Sequence, residues 1–160
     1  MKRPIVVASL LAVLFAGCSS VPTKEIERAK TEGVPVIINH LSSSIPNSAG
    51  GVNVYSNYFN TSDKTLKYVV LTVLPYNKVG DLAPSEIGRK TYTRIKDIGP
   101  IEPNGKGGGG WKNVWYNHSI SCVKLTELEV TYMSGESESF RGAQLLKVLK
   151  SGISNSCEVL

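Results

Sequence analysis

The chain has 160 residues, 41% of them apolar and 19% charged, a composition that folds into one globular domain and excludes a disordered-tail protein. Its formal charge is +5; without Lys2 and Arg3, which lie in a segment read below as a leader, 16 basic residues face 13 acidic ones, a net +3. That balance is too mild and too dispersed for nucleic-acid binding.

Met1-Lys2-Arg3 is a short basic start, and Pro4 to Gly17 follow without a charge. The run is shorter than the ~20 apolar residues of a transmembrane helix and fits the hydrophobic region of a secretory signal. Phe15-Ala16-Gly17-Cys18 resembles a bacterial lipobox, in which small residues precede a cysteine. The resemblance implies diacylglycerol on the Cys18 thiol, removal of residues 1–17 and acylation of the new amino terminus. Phe15 stands where leucine is usual, with Leu14 one step earlier. Leu14-Phe15-Ala16 is a poor site for the ordinary signal peptidase. Stable attachment takes two or more lipid signals, and a triacylated Cys18 supplies enough. Ser19, not Asp, follows the cysteine. By resemblance to Gram-negative sorting, that implies the outer membrane, on its periplasmic face or at the cell surface.

Residues 18–33 read as a lipidated tether, because only Ile26 and Ala29 are apolar in its polar stretch TKEIERAKTE. The pattern changes at Val34, and residues 34–160 are expected to form the domain. Val34 to Asn39 is β-branched, with Pro35 arguing for a sheet edge. Ser42 to Gly51 is a loop by its Ser, Asn, Gly and Pro content. In Val52 to Asn60, Val52, Val54 and Tyr58 alternate against Asn53, Tyr55, Asn57 and Phe59. Leu66 to Tyr76 is the most apolar run and belongs at the centre of a sheet. Ile87 to Ile98 reads as an edge strand, Gly99 to Gly110 as a long Pro/Gly loop, and Trp111 to Ser121 and Cys122 to Met133 as two more strands. Gly142 to Lys150 places Leu145, Leu146, Val148 and Leu149 for a short helix. Short strands separated by Gly/Pro turns predict an all-β sandwich or barrel.

Asn60-Thr61-Ser62-Asp63-Lys64-Thr65-Leu66-Lys67-Tyr68 adds a resemblance. Small immunoglobulin-like domains of bacterial envelope proteins, similar in kind to the FxLYD-like sandwiches, carry N-x-S-x-K-x-[IL]-x-Y at a hairpin. Tyr76-Asn77, Gly80-Asp81, Gly99-Pro100-Ile101 and Trp111-x-Asn113-Val114-Trp115-Tyr116-Asn117 continue it in order, over roughly residues 50–135. The resemblance implies an immunoglobulin-like β-sandwich and carries no catalytic residue.

Once Cys18 is lipidated, Cys122 and Cys157 are an even pair in an oxidising compartment and are disulfide candidates. His40 and His118 stand outside any metal-ligand spacing, so no metal and no cofactor are implied. Glu127/Glu129 and Glu136/Glu138 each share a face by alternation, as a solvated strand does. Gly105-Lys106-Gly107-Gly108-Gly109-Gly110 lacks the Ser/Thr and the helix of a phosphate-binding loop and reads as flexible. Trp111, Trp115 and Tyr116 are the candidate binding residues. The two tryptophans share one strand face, which is either the core or an exposed aromatic patch.

The sequence thus points to a non-enzymatic, lipid-anchored envelope module that binds an envelope protein. The competing readings are an envelope hydrolase or its inhibitor, and a phage- or plasmid-borne exclusion lipoprotein. A deep pocket joining His118 to a carboxylate would favour the hydrolase.

Overall fold

The computed structural model describes residues 23–151, 153 and 157. The leader and Cys18 lie outside these residues. The elements in chain order are α1 (Thr23–Thr31), β1 (Val36–Ser43), β2 (Gly51–Asn60), β3 (Leu66–Tyr76), β4 (Thr93–Ile101), β5 (Lys106–Tyr116), β6 (Cys122–Tyr132), β7 (Ser137–Arg141), a 3-10 turn (Gly142–Gln144) and α2 (Leu145–Val148). Two antiparallel sheets, ordered β1-β2-β5 and β4-β3-β6-β7, face each other. This is the expected immunoglobulin-like sandwich with a short C-terminal helix. Among the described residues no helix is long and apolar enough to cross a membrane.

The strands follow from alternation. In β2, Val52, Val54 and Tyr58 point inward and are buried, while Asn53, Tyr55, Asn57 and Phe59 take the outer face. β3, the most β-branched run, lies between β4 and β6, where both edges of its backbone are paired. Its inward Val69, Leu71 and Val73 meet Leu125, Leu128 and Val130 of β6 across the same ladder. β1 is an edge strand, as Pro35 just before it suggests.

The loops divide between two ends. The upper end holds the α1–β1 connection and the turns at 61–65, 102–105 and 133–136. The lower end holds 44–50, 77–92 and 117–121. The lower loops interlock: Asn117 N–H donates to the Gly50 carbonyl (2.9 Å), its Nδ2 to the Pro84 carbonyl (2.8 Å), and Glu86 N–H to the Tyr116 carbonyl (2.8 Å).

Four expectations are corrected. First, Gly99 to Gly110 is no long loop. β4 runs to Ile101, and after a four-residue turn β5 takes in all of Gly107 to Gly110. Close neighbours occupy the side-chain places of three of the four glycines. A Cβ on Gly107 would collide with the Tyr58 ring, one on Gly108 with the Ser56 carbonyl, and one on Gly110 would sit 3.0 Å from the Tyr55 ring. Gly109 leaves the space over which the Trp111 ring passes at 3.9 Å. Second, residues 87–92 belong to the lower loop, and β4 begins only at Thr93. Third, β5 ends at Tyr116, and 117–121 form a turn whose Asn117 Oδ1 accepts from the Ser119 N–H and hydroxyl.

Fourth, residues 23–31, expected as part of a tether, form a helix packed on the domain. α1 covers 23–31 and docks on the domain, with Ala29 fully buried and Ile26 packed against the core. Two apolar residues suffice because the helix covers a sandwich edge. Arg28 donates to the carbonyls of Lys147 and Leu149 (3.3 and 3.4 Å) and pairs with Glu25 and Glu32. Glu25 accepts from Ser151 and Arg28, and these contacts hold its carboxyl below the usual range.

The C-terminal segment closes the same edge. Leu145 and Val148 bury against the core, and Leu149 bridges Ile38 of β1 in parallel. Cys122, at the start of β6, bonds Cys157 with S–S 2.19 Å. This staples the tail to the lower end, as the cysteine count predicts. Closing a loop of 35 residues restricts the unfolded chain, so reduction is expected to lower unfolding stability by about 3 kcal/mol. Denaturant titration with and without dithiothreitol measures this, and coincident curves would refute a stabilising bridge.

Candidate functional site

Asn60 organises the upper end. Fully buried at the close of β2, it donates through Nδ2 to the carbonyls of Lys64 (2.9 Å), Ile101 (3.0 Å) and Glu102 (3.1 Å). Its Oδ1 accepts from the Ser62 N–H (3.0 Å) and hydroxyl (2.7 Å). One amide thus ties the β2–β3 turn to the β4–β5 turn. Thr61, also buried, donates its hydroxyl to the Val34 carbonyl (2.5 Å) and its N–H to the Pro35 carbonyl (2.9 Å). This fastens the α1–β1 connection to the same turn. Asn60 and Ser62, with the Lys64 carbonyl, therefore act as turn and inter-turn fasteners.

These turns surround a groove of about 660 Å³. Val34, Pro35 and Tyr132 lie along it, and Pro103 and Asn104 flank it on the β4–β5 side. Lys30 donates across its mouth to Asn104 Oδ1 (2.7 Å). On the other side Lys64 pairs with Glu136 (2.7 Å) and lies 5.1 Å from the Tyr132 ring centre. The pair holds the Glu136 carboxyl below and the Lys64 ammonium above their ordinary ranges. Tyr132 donates its hydroxyl to Glu138 (2.5 Å). Burial, reinforced by that carboxylate, pushes the Tyr132 phenol well above the usual tyrosine range. The groove mixes Val34, Pro35, Pro103 and Tyr132 with the polar Thr61, Ser62 and Asn104 and with charges of both signs.

The outer face of the four-stranded sheet is laced by its own charges. Lys96 sits 3.5 Å from the Tyr68 ring centre, Arg94 pairs with Glu129 (3.0 Å), and Arg141 with Glu127 (2.5 Å). Arg141 holds Glu127 below its ordinary value. Glu127 and Glu129 do share a face, each occupied by its own arginine.

No family model, curated protein or solved structure matches the chain. Any functional reading therefore rests on the chain's own residues.

The three candidate aromatics are parted by the structure. Trp115 is fully buried opposite Val52 and cannot contact a partner. Trp111, opposite the buried Val54, is half-buried and donates Nε1–H to the Lys96 carbonyl of β4 (3.2 Å). It thereby closes the β5/β4 edge of the sandwich. Tyr116 is half-buried, and its N–H donates to Ser85 Oγ (3.0 Å). The exposed-patch alternative fails because both tryptophans stand opposite inward-facing valines of β2, Trp111 opposite Val54 and Trp115 opposite Val52. Between them residues 112–114 face the single Asn53 in a bulge, with Asn113 at φ 50°, whose two extra residues leave the alternation unchanged.

The same edge carries a second seal. The Tyr58 hydroxyl and the Gly108 N–H both donate to Asp97 Oδ2, each at 2.8 Å. Burial first, then the Asp97 carboxylate, raises the Tyr58 phenol far above the tyrosine range. The folded state holds this proton more tightly than the unfolded chain does. The stability involved is complete below the unfolded value of about 10 and is lost as pH rises through the raised one. An alkaline titration followed by tyrosinate absorbance is expected to show a late step that coincides with unfolding. Tyr58→Phe should remove one tyrosine from that step, and an unchanged amplitude would count against the seal.

His118 packs against Gly50, and among the described residues no hydrogen bond or ion pair joins it to a carboxylate. His40 Nε2 bonds Ser42 Oγ at 2.8 Å. Among the described residues no three of His, Cys, Asp and Glu gather as a metal site would require.

Proposed function

We propose that this protein is a lipid-anchored binding module of a bacterial envelope, held at the outer membrane through acylated Cys18 and acting as an adaptor for an envelope protein. The lipobox-like Phe15-Ala16-Gly17-Cys18 after a charge-free apolar run carries the anchoring. The short distance from that cysteine to the folded helix adds a physical consequence. Five residues from Cys18 to Thr23 reach at most about 17 Å, so the sandwich sits close against the bilayer. The upper groove is the contact surface for the partner. Its size and mixed lining suit an extended segment of an envelope protein, and anchoring raises the effective concentration so that a weak contact is enough.

Cys18→Ser is expected to move the protein from the membrane to the soluble fraction. Unchanged fractionation would reject the anchor. The groove is tested by crosslinking from Asn104, which lies on its rim. One envelope protein captured there, and lost when Pro103 is replaced by Asp, supports the adaptor role. Capture that is unaffected by Pro103→Asp overturns the groove as its site.

A further inference from the structure

The lower end has a composition that nothing above uses. Val79 is 74% exposed, Ile87 65% and Tyr92 58%, all on the single loop 77–92. Ile45, on the neighbouring loop 44–50, is 88% exposed. Lys78, Arg89 and Lys90 stand exposed on the same long loop against Asp81 and Glu86, and among the described residues none of the three bases is in an ion pair. The upper end exposes one large apolar residue on its turns, Met133, and carries an excess of acid. Glu32, Asp63, Glu102, Glu136 and Glu138 lie there against Lys30, Lys64 and Lys106.

The fold also sets the direction of the anchor. The C-terminal end of α1 is fixed at the upper end by Lys30 and Asn104 and by the Val34 N–H on the Ala29 carbonyl (2.8 Å). Its N-terminal Glu25 lies beside Ser151, one residue after Lys150, whose N–H donates to the Ile38 carbonyl (3.1 Å). Leu149 bridges Ile38 in the parallel sense, so the chain there heads toward the lower end, where Cys157 meets Cys122. α1 therefore runs antiparallel to β1, and its N-terminus, which leads back to Cys18, points downward.

We propose that the lower end docks on an anionic bilayer surface, with Val79, Ile87 and Tyr92 entering the interface and Lys78, Arg89 and Lys90 lying at the headgroup phosphates. This rests on the anchored reading above. Exposed apolar side chains flanked by unpaired basic ones are what an interfacial segment requires, since each partition term adds to the other. An anchor within ~17 Å of Thr23, on the same chain as these loops, makes that encounter intramolecular. Docking by the lower end turns the upper groove away from the bilayer, toward a partner.

The test uses the full-length lipidated protein in vesicles of phosphatidylethanolamine and phosphatidylglycerol that carry a lipid with a photoreactive acyl chain. Adducts are mapped by peptide mass spectrometry. The expected result is lipid adducts on peptides covering 77–92 and 44–50 and none on 61–65 or 102–105. Their yield should fall roughly tenfold or more when phosphatidylcholine replaces phosphatidylglycerol, or in Lys78→Glu/Arg89→Glu/Lys90→Glu. The exposed positions chosen leave the core intact, and unchanged thermal unfolding verifies it. Adducts confined to the acylated Cys18 peptide, or equal at both ends, overturn the docking surface and leave the anchor standing. Loop adducts on a protein whose Cys18 carries no acyl chain overturn the anchor alone. In native envelopes, crosslinks from 77–92 to a protein in place of lipid overturn the proposal.

Discussion

Gly108→Ala is expected to destabilise the domain by about 4 kcal/mol, from backbone strain and overpacking together. Gly108 has φ 127°, which L residues rarely adopt, and its new Cβ would meet the Ser56 carbonyl and Asn57 across the β2–β5 ladder. The substitution also pulls on the N–H that Gly108 donates to Asp97, the acceptor shared with Tyr58. Gly109→Ala is the control. Its Cβ would meet nothing closer than the Trp111 ring at 3.9 Å, so it is expected to change stability by less than about 1 kcal/mol. Chemical denaturation of both variants decides the matter. A flexible loop would tolerate both equally, and equal tolerance would contradict the strand assignment.

Trp115→Ala is expected to cost about 5 kcal/mol, at the upper end of the range for truncating a buried aromatic. Trp115 is among the largest side chains wholly removed from solvent, and the cavity left behind lies between two sheets whose ladders resist collapse. With typical domain stabilities of about 5–15 kcal/mol, this variant approaches unfolding. Trp111→Ala should cost less, about 2 kcal/mol, because Trp111 is half-buried and loses one hydrogen bond to Lys96. Trp115→Phe separates volume from polarity. The Trp115 N–H has no acceptor among the described residues, so losing it carries no hydrogen-bond penalty and only the smaller volume counts. Equal midpoints for Trp115→Ala and the wild type would refute the core placement.

The sequence made the sandwich legible wherever side chains alternate. In β2 and the second half of β6 the buried residues are the ones that alternation selects, and β3 was legible as the continuous apolar run of a central strand. The disulfide was legible from counting cysteines, since Cys122 and Cys157 are the pair left when Cys18 is set aside. Three features were not, each because a tertiary neighbour overrides the local signal. Gly107 to Gly110 resemble a flexible loop until the Tyr58 ring, the Ser56 carbonyl and the Tyr55 ring are seen to occupy the side-chain space of Gly107, Gly108 and Gly110. α1 has too few apolar residues to stand as an amphipathic helix, and it is held by Ala29 against the core and by Arg28 on the tail carbonyls. Which way the shared face of Trp111 and Trp115 points is decided by the buried Val54 and Val52 opposite them on β2, a pairing that the strand's own sequence does not encode.

The candidate site was less legible than the fold. Its sequence signal was the motif around Asn60, which resembles an envelope-domain hairpin. The amide of Asn60 joins turns that lie 41 and 42 residues apart in the chain, a relation that no local spacing encodes. The groove forms from four connections at one end of the sandwich, and the proposed docking loops from two at the other. In both, single residues look unremarkable in sequence, and their meaning comes from which end of the sheets they share. The aromatic patch had the strongest signal, yet its members serve the core and the edge seal.

Mass spectrometry of the intact protein extracted from its native membrane tests the central proposal most directly. The account predicts a chain that begins at Cys18 and carries three acyl chains. A chain with a free Cys18 thiol and residues 1–17 still attached would contradict it.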